Sequence, residues 1–285
     1  MLKDKLVFMK IKERLQNVFQ DKMNSMQLEK LPSSYSVLGD IAVFHHIDEY
    51  IKDYKELLGK SILDIDSRCK VVVEQLNTLT PFRTPIINHI AGEFRTTTIH
   101  REFKTEFHLD IAEIILSPGN KGERERLIQE VQDNEIICDM FACIGNLSLP
   151  IVVNNTTTSA YGIEWNQVAY NFLETNIKVN NVSNRYHPIF GDNRKNTPTN
   201  FASRVLMGFF NSDKAQFNCA LEALKDEGWI HYHSITSRDN FKEPEKYIEK
   251  IRRTSSFDIE IKEIRRVKKF SPTKQHLCTD IYVTK

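Results

Sequence analysis

The sequence predicts an α/β protein. A mostly parallel sheet carries helices on both faces and ends in an antiparallel hairpin, and a small α+β domain precedes it. Three observations carry this prediction. In the second half, the apolar runs "EIICDMF", "TSAYGIEW", "YHPIFGD", "ASRVLMGFF" and "GWIHYHS" are spaced by helical segments such as "NQVAYNFLETNIKVNN" and "KAQFNCALEALKDEG". Strands alternating with helices build parallel sheets, because each parallel connection needs a crossover. The last two strands, "DIEIKEIRRVKKF" and "HLCTDIYVTK", are joined by a short loop and so form a terminal hairpin. In the first half, β-branched and aromatic runs ("GDIAVF", "CKVVVEQL", "EFRTTTIH", "EFHLDI") alternate with polar residues around one helix, "IDEYIKDYKELLGKSIL".

From the N-terminus, residues 2 to about 24 carry Leu6, Met9, Leu15, Val18 and Phe19 with charges between them, and no Gly or Pro precedes Pro32. This is an amphipathic helix whose apolar stripe covers a core. Residues 1–30 are therefore assigned to an N-terminal helix and 31–119 to the small α+β domain. "SPGNKGERERLIQEVQ" opens the next helix after a Pro-Gly-Asn turn. Residues 120–285 form the larger domain.

Composition narrows the function. The chain has 285 residues, 40% of them hydrophobic, and a formal net charge of +1. No global field announces a nucleic-acid partner, so any basic surface is local. Five cysteines show no CxxC pair and no His/Cys ligand spacing, which predicts no metal and a reducing compartment. The opening "MLKDKLVFMKIKERLQ" interrupts its apolar residues with charges, and no stretch reaches membrane-spanning length. A cytoplasmic protein with no membrane partner is expected.

Four positions are expected to converge at the carboxyl ends of the strands, where open α/β sheets bind ligands. The first is the turn Asp139-x-Phe141-x-Cys143-x-Gly145 in "CDMFACIGNLSLP". Small residues there let backbone approach a ligand. Glu164 ends the second strand about 20 residues later, where a carboxylate accepts both ribose hydroxyls of a nucleoside. Asp192, in "FGDNR" with Asn193, ends the third strand and can accept from an adenine amino group. Gly208, in "RVLMGFF", ends the fourth. A dinucleotide fold would prefer GxGxxG, which is absent. A purely structural reading makes the two acids solvated caps.

From about Leu31 to the end, the chain resembles the archaeal and eukaryotic tRNA position-37 modification family. That family includes the tRNA guanine-37 N1-methyltransferases and the wybutosine-pathway 3-amino-3-carboxypropyltransferases. The resemblance is carried by "LPSSYSVLGDIAVF", "FRTPIINHIAGEFRTTTIHREFKTEFHLDIAEIILSPGNKGERERL", "CDMFACIGNLSLP", "YGIEWNQVAYNFLETNIKVNNV", "GDNR", "RVLMGFF", "GWIHYHS" and "RRVKKFSPTKQHLCTDIYV". It implies a class I S-adenosylmethionine (SAM)-dependent, Rossmann-like transferase domain. SAM is then the cofactor, held by Asp139, Phe141, Cys143, Gly145, Glu164, Asp192, Asn193 and Gly208. The family pattern reads D-M-F-A-G-I-G, and Cys143 replaces its first glycine.

The resemblance also assigns roles. Glu123 and Arg124 match the family's charged pair beside the site. Glu123 is expected to accept the proton lost by the attacked base. Arg124 or Arg126 is expected to hold the cofactor carboxylate or a phosphate. His100 and Glu102 match as well. The methylating branch resembles Asn-Leu-Pro or Asn-Pro-Pro where this chain has Gly208-Phe209-Phe210, so the aminocarboxypropyl branch is implied. The implied reaction moves the 3-amino-3-carboxypropyl group of SAM to 4-demethylwyosine at position 37 of tRNA(Phe). A guanine-37 N1-methyltransferase and a tRNA-binding protein without catalysis are the alternatives. The anticodon loop is expected to meet Arg83, Arg95 and Arg101 of the small domain. It is also expected to meet Lys268 and Lys269, from the basic run between Lys262 and Lys274. Phe209, Phe210 or Phe270 can stack an unstacked base. A monomer is expected.

Overall fold

A computed structural model describes residues 10–285. Leu6 and Met9 of the expected first helix lie outside the described residues. Two compact units are present. The described part of the first runs to His100 and resumes over His108–Pro118; the second comprises Arg101–Phe107 and Gly119–Lys285.

In the first unit, β1 (Ser36–Leu38), β2 (Ile41–Phe44), β3 (Val71–Leu79) and β4 (Thr84–Gly92) form one sheet in that order. β1 and β2 pair antiparallel through a tight turn, whereas β2 and β3 are parallel. A parallel pair needs a crossover, and the helix Lys55–Ile65 lies within it. The sheet and this helix enclose Phe44, Leu58, Ile62 and Val72. The first described helix is Ile11–Phe19, which buries Leu15 and Phe19 in the same core. Val18 stays 39% exposed, so the apolar stripe is narrower than the periodicity suggested. The helix also stops earlier than expected. A second, short helix, Ser25–Glu29, starts from Asn24, whose side chain accepts the Gln27 N–H while Gln27 answers the Asn24 N–H. That capping box restarts the chain in a new direction.

β5 (Thr97–Glu102) and β6 (Thr105–Asp110) form a two-stranded sheet. The helix Lys121–Glu130 then leads into the second unit. Its strands are β7 (Ile136–Asp139), β8 (Ser159–Glu164), β9 (Tyr186–Phe190), β10 (Ala202–Met207), β11 (Leu224–Ser237), β12 (Asp258–Lys269) and β13 (Lys274–Thr284). They make a seven-stranded sheet ordered β9-β8-β7-β10-β11-β13-β12. β7 to β11 are parallel to their neighbours within that group, and β13 runs antiparallel between β11 and β12. One face packs Val205, Met207, Phe217, Leu221, Ile230 and Ile281 into a continuous core. Strand order reverses between β7 and β10. There the two neighbouring crossovers leave to opposite sides and open a crevice at the carboxyl ends.

Candidate functional site

The crevice is floored by the turn after β7, which is pinned on both sides. The Met140 N–H donates to Leu206 of β10 at 3.1 Å, and the Ala142 N–H to Ile163 of β8 at 3.0 Å. Asp139 is 1% exposed. Its carboxylate accepts from the Ser148 hydroxyl at 2.7 Å and from the Phe141 N–H at 3.2 Å. Burial raises this carboxyl to about 6, against those donors. Asp139 therefore shapes the turn from below, with one protein donor on each carboxylate oxygen. Gly145 has φ +92°, and a Cβ there would stand 2.6 Å from Cβ of Leu149. Only glycine lets the chain turn so tightly into the helix Ser148–Asn154.

Cys143 adopts φ +52°, in the left-handed region. The residue thus keeps the conformation that a glycine takes freely, at a cost of about 1–2 kcal/mol. Its thiol is half-buried, and burial pushes its pKa up, so it stays a thiol with no nucleophilic character. Glycine relieves the left-handed strain but adds entropy to the unfolded chain, about 0.5–1 kcal/mol. Cys143→Gly is therefore expected to be neutral or stabilising by up to about 1 kcal/mol in denaturant unfolding, with SAM affinity retained. A tenfold loss of SAM affinity in calorimetry would instead assign the thiol a direct contact with the cofactor.

Glu164 closes the turn. One carboxylate oxygen accepts the Cys143 N–H at 2.8 Å and the other the Asn166 N–H at 2.7 Å. Burial raises its pKa. Each oxygen keeps a second lone pair, so a pair of vicinal hydroxyls can still be accepted. Trp165 and Phe190 stand at the same strand ends, 51% and 47% exposed. Large exposed aromatic faces beside a carboxylate that can accept vicinal hydroxyls fit a nucleoside base. Neither was singled out in the sequence, where a lone aromatic after a strand carries no signal.

Asp192 sits beyond β9 and is committed locally. It accepts the Arg194 N–H at 3.0 Å and pairs with the Arg194 guanidinium at 2.7 Å, which lowers its pKa. Asn193 is buried. It donates to the Met140 carbonyl at 2.7 Å and accepts from Gln216 at 3.0 Å, so its side chain ties two loops of the crevice together. Gly208 follows β10, and an added Cβ there would meet only Leu147 Cδ1, at 3.3 Å. Glycine at this point leaves space open above the strand end. Phe209 stacks on Phe141 with ring centroids 5.4 Å apart.

The charged pair differs most from expectation. Arg124 is 1% exposed and bidentate to Glu102, at 2.8 and 3.1 Å. Arg126 binds Glu123 at 2.7 Å and also pairs with Glu130 and Asp280. Both guanidiniums are held by protein carboxylates, so the expectation that either one takes the cofactor carboxylate or a phosphate is corrected. Glu123 is 4% exposed. Arg265 reaches it at 3.0 Å from β12 and pairs also with Asp280. Burial pushes the Glu123 carboxyl up, but His233, Arg126 and Arg265 outweigh it and hold the group down at about 2. The network continues from Asp280 to His231 at 2.5 Å, then to Arg204 at 2.6 Å and Glu135 at 2.7 Å.

The remaining expected residues are spread out. His100 Nδ1 accepts the Gly39 N–H at 3.2 Å, a structural bond. Arg95 is engaged by Asp40 and Glu93. Arg101 is exposed and pairs with Glu106 at 2.6 Å. Arg83, at φ +60°, belongs to the turn between β3 and β4. On β12, Lys268 is half-buried and Lys269 exposed, and Phe270 just beyond is 43% exposed.

Residues 98–261 match the TRM5/TYW2 methyltransferase domain, and residues 15–96 match the TYW2 N-terminal domain. The chain is 32% identical over 250 residues to the tRNA(Phe) (4-demethylwyosine(37)-C(7)) aminocarboxypropyltransferase of Methanocaldococcus jannaschii, covering 86% of this chain and 96% of that one. Its fold is similar to that of Trm5b from Pyrococcus abyssi, with TM-score 0.83 and 27% identity over 92% of this chain and 79% of that one. It is also similar to Pyrococcus horikoshii TYW2 in complex with MeSAdo, with TM-score 0.80 and 27% identity over 96% and 100% of the two chains.

Proposed function

The chain belongs to the TRM5/TYW2 family, and from that premise we propose that it moves the 3-amino-3-carboxypropyl group of SAM onto 4-demethylwyosine at position 37 of tRNA(Phe). It is a SAM-dependent transferase, and tRNA is its substrate. Bound SAM supplies an electrophilic γ-carbon on a sulfonium, so forming the new carbon–carbon bond breaks the bond to sulfur and 5′-methylthioadenosine leaves.

The chain's own residues bind and orient. Asp139 and Gly145 shape the turn, and the backbone from Phe141 to Cys143 lines the cofactor. Glu164 accepts the ribose hydroxyls, and Asp192 and Asn193 border the adenine. Which carbon lies in line with the nucleophile is decided by pose. The observation that carries the aminocarboxypropyl reading is the end of β10. Gly208 leaves the strand end open there, and Phe209 is drawn onto Phe141. Glu123 accepts the proton lost by the attacked base, and Arg124 holds Glu102.

The small domain, 31–119, faces the tRNA. Arg83 and Arg101 meet its backbone, as do Lys268 and Lys269 of the domain 120–285. The anticodon loop presents the base, and the enzyme acts as a monomer in the cytoplasm. Among the described residues, no helix is long and apolar enough to cross a membrane. Replacing Lys268 and Lys269 by alanine is expected to weaken tRNA binding and flatten its salt dependence by about 0.7–0.9 log units per lost phosphate contact. Filter binding across a salt series measures this. Wild-type slope and affinity would place the RNA elsewhere.

The deciding experiment incubates the protein with SAM and tRNA carrying either guanosine or the tricyclic base, then weighs the nucleoside. The expected gain is about 101 Da on the tricyclic base, with 5′-methylthioadenosine released. A gain of about 14 Da on guanosine would mean that the methyl was held in line instead. No gain on either base, with tight tRNA binding, would mark a binding protein.

A further inference from the structure

Two successive phenylalanines leave the end of β10 for different partners. Phe209 stacks on Phe141 of the turn after β7, with centroids 5.4 Å apart. Phe210 goes instead to the hairpin of β12 and β13. Its ring meets Phe270 at 5.8 Å and His276 at 4.7 Å, edge to face in both cases. That arrangement is the preferred one for aromatic pairs, and each ring limits the movement of the next. His276 is 0% exposed and anchors the row in the sheet. Phe210 is half-buried, and Phe270, at the outer end, is 43% exposed.

The turn that carries Phe270 is closed by its own backbone. The Phe270 and Ser271 N–H groups both donate to the Lys274 carbonyl, at 3.0 Å. Ser271 Oγ accepts from the Thr273 and Lys274 N–H groups at 3.3 and 3.1 Å. The Thr273 carbonyl accepts from the Arg238 N–H at 2.8 Å, which ties the turn to the loop after β11. Pro272 fixes one further backbone angle. Phe270 is thus displayed on a stiff mount. Around it the chain places Arg266, Lys268, Lys269 and Lys274, with no acid between Arg266 and Lys274. An aromatic ring set among cations suits single-stranded RNA, whose bases stack while its phosphates are neutralised. A protein partner would ask for an apolar patch. Besides Pro272, the exposed neighbours of Phe270 are Lys269, Thr273 and Lys274.

We propose that Phe270 is the stacking face for base 37, that Phe210 holds it in position, and that this contact makes the site prefer a three-ring base to guanosine. The proposal rests on the reading that base 37 is the acceptor. Stacking grows with the ring area that overlaps, and the third ring of the tricyclic base adds area where guanosine has none. Phe210 ties the ring of Phe270 to the strand end at Gly208. Space is open there, since an added Cβ would meet only Leu147 Cδ1, at 3.3 Å. A base lying flat on Phe270 is thereby kept beside that end, where the transferred carbon must be approached in line. Phe209 is engaged with Phe141 and Phe210 is a positioning residue, so of the three phenylalanines Phe270 is the one that meets the base.

The test measures tRNA binding in the presence of 5′-methylthioadenosine, a nucleoside with no aminocarboxypropyl group to transfer. The tRNA carries either guanosine or 4-demethylwyosine at position 37. Wild type is expected to bind the tricyclic form more tightly. Phe270→Ala should weaken binding of that form by about tenfold and of the guanosine form by less, so the preference shrinks. Phe270→Leu keeps an apolar side chain without the flat face and should behave like alanine, whereas Phe270→Tyr should restore wild-type binding. SAM affinity by calorimetry and the thermal midpoint should be retained in all three, and if alanine lowers the midpoint the Leu and Tyr variants decide. A wild type without preference overturns the proposal, as does a leucine variant that binds like wild type. An equal loss on both tRNAs overturns it too, because Phe270 would then stack a neighbouring nucleotide. Transfer is read separately by nucleoside mass. If wild type makes the aminocarboxypropyl product but its preference does not depend on Phe270, this proposal fails and the functional reading stands. If wild type transfers nothing yet Phe270→Ala abolishes its preference, the functional reading fails and the stacking face stands.

Discussion

Arg124→Ala is expected to destabilise the folded protein by about 3–5 kcal/mol, the usual result of removing one partner of a buried ion pair. Arg124 and Glu102 are bidentate, at 2.8 and 3.1 Å, with side chains 1% and 6% exposed. Water cannot replace the guanidinium, so the Glu102 carboxylate would be left charged in a dry place. Denaturant unfolding measures the loss directly. Arg124→Lys keeps the charge but not the planar fork, and should fall between the two. A loss below about 1 kcal/mol for alanine would mean that the pair is solvated in solution and that Arg124 is available for substrate after all.

Glu164→Ala is expected to lower SAM affinity by at least about tenfold, since hydrogen bonds to a charged acceptor contribute about 1.5–3 kcal/mol each. The loss has two sources. The ribose hydroxyls lose their acceptor, and the Cys143 N–H loses the bond that holds the turn at 2.8 Å. Calorimetry with SAM is the measurement, and unchanged affinity would remove this strand end from the site. Acid should act in the same direction. Burial raises the Glu164 carboxyl, and the protonated form loses acceptor capacity. SAM binding is therefore expected to weaken as pH falls through a value above the ordinary glutamate range of about 4.3. In Glu164→Gln that part of the pH dependence should vanish.

The order of strands and helices was legible because it is written in local patterns. Apolar runs of strand length, helical spacing between them and turn residues at their ends need no knowledge of the rest of the chain. The turn after β7 was legible for the same reason. Asp139, Cys143 and Gly145 are close in sequence, and Glu164 follows at the distance that one crossover helix sets. Even the replaced glycine was readable, although only the folded structure shows that Cys143 takes the glycine conformation at φ +52°.

By itself, then, the sequence determined the α/β class, the turn after β7 with Glu164 one crossover later, and the family resemblance. Tertiary structure alone decided the fate of the charges. "KGERERLIQE" looks like an exposed helix in sequence, yet Glu123 and Arg124 are buried. The side chains that make this affordable come from far away. Arg265 is 142 positions from Glu123, Asp280 is 154 from Arg126, and His233 and His276 are 43 apart. A charge is costly or comfortable according to what packs against it. That depends on β12 and β13 folding back beside β11, which no local pattern encodes. The same long-range pairing makes two unremarkable histidines into a buried row behind the reacting end of the sheet.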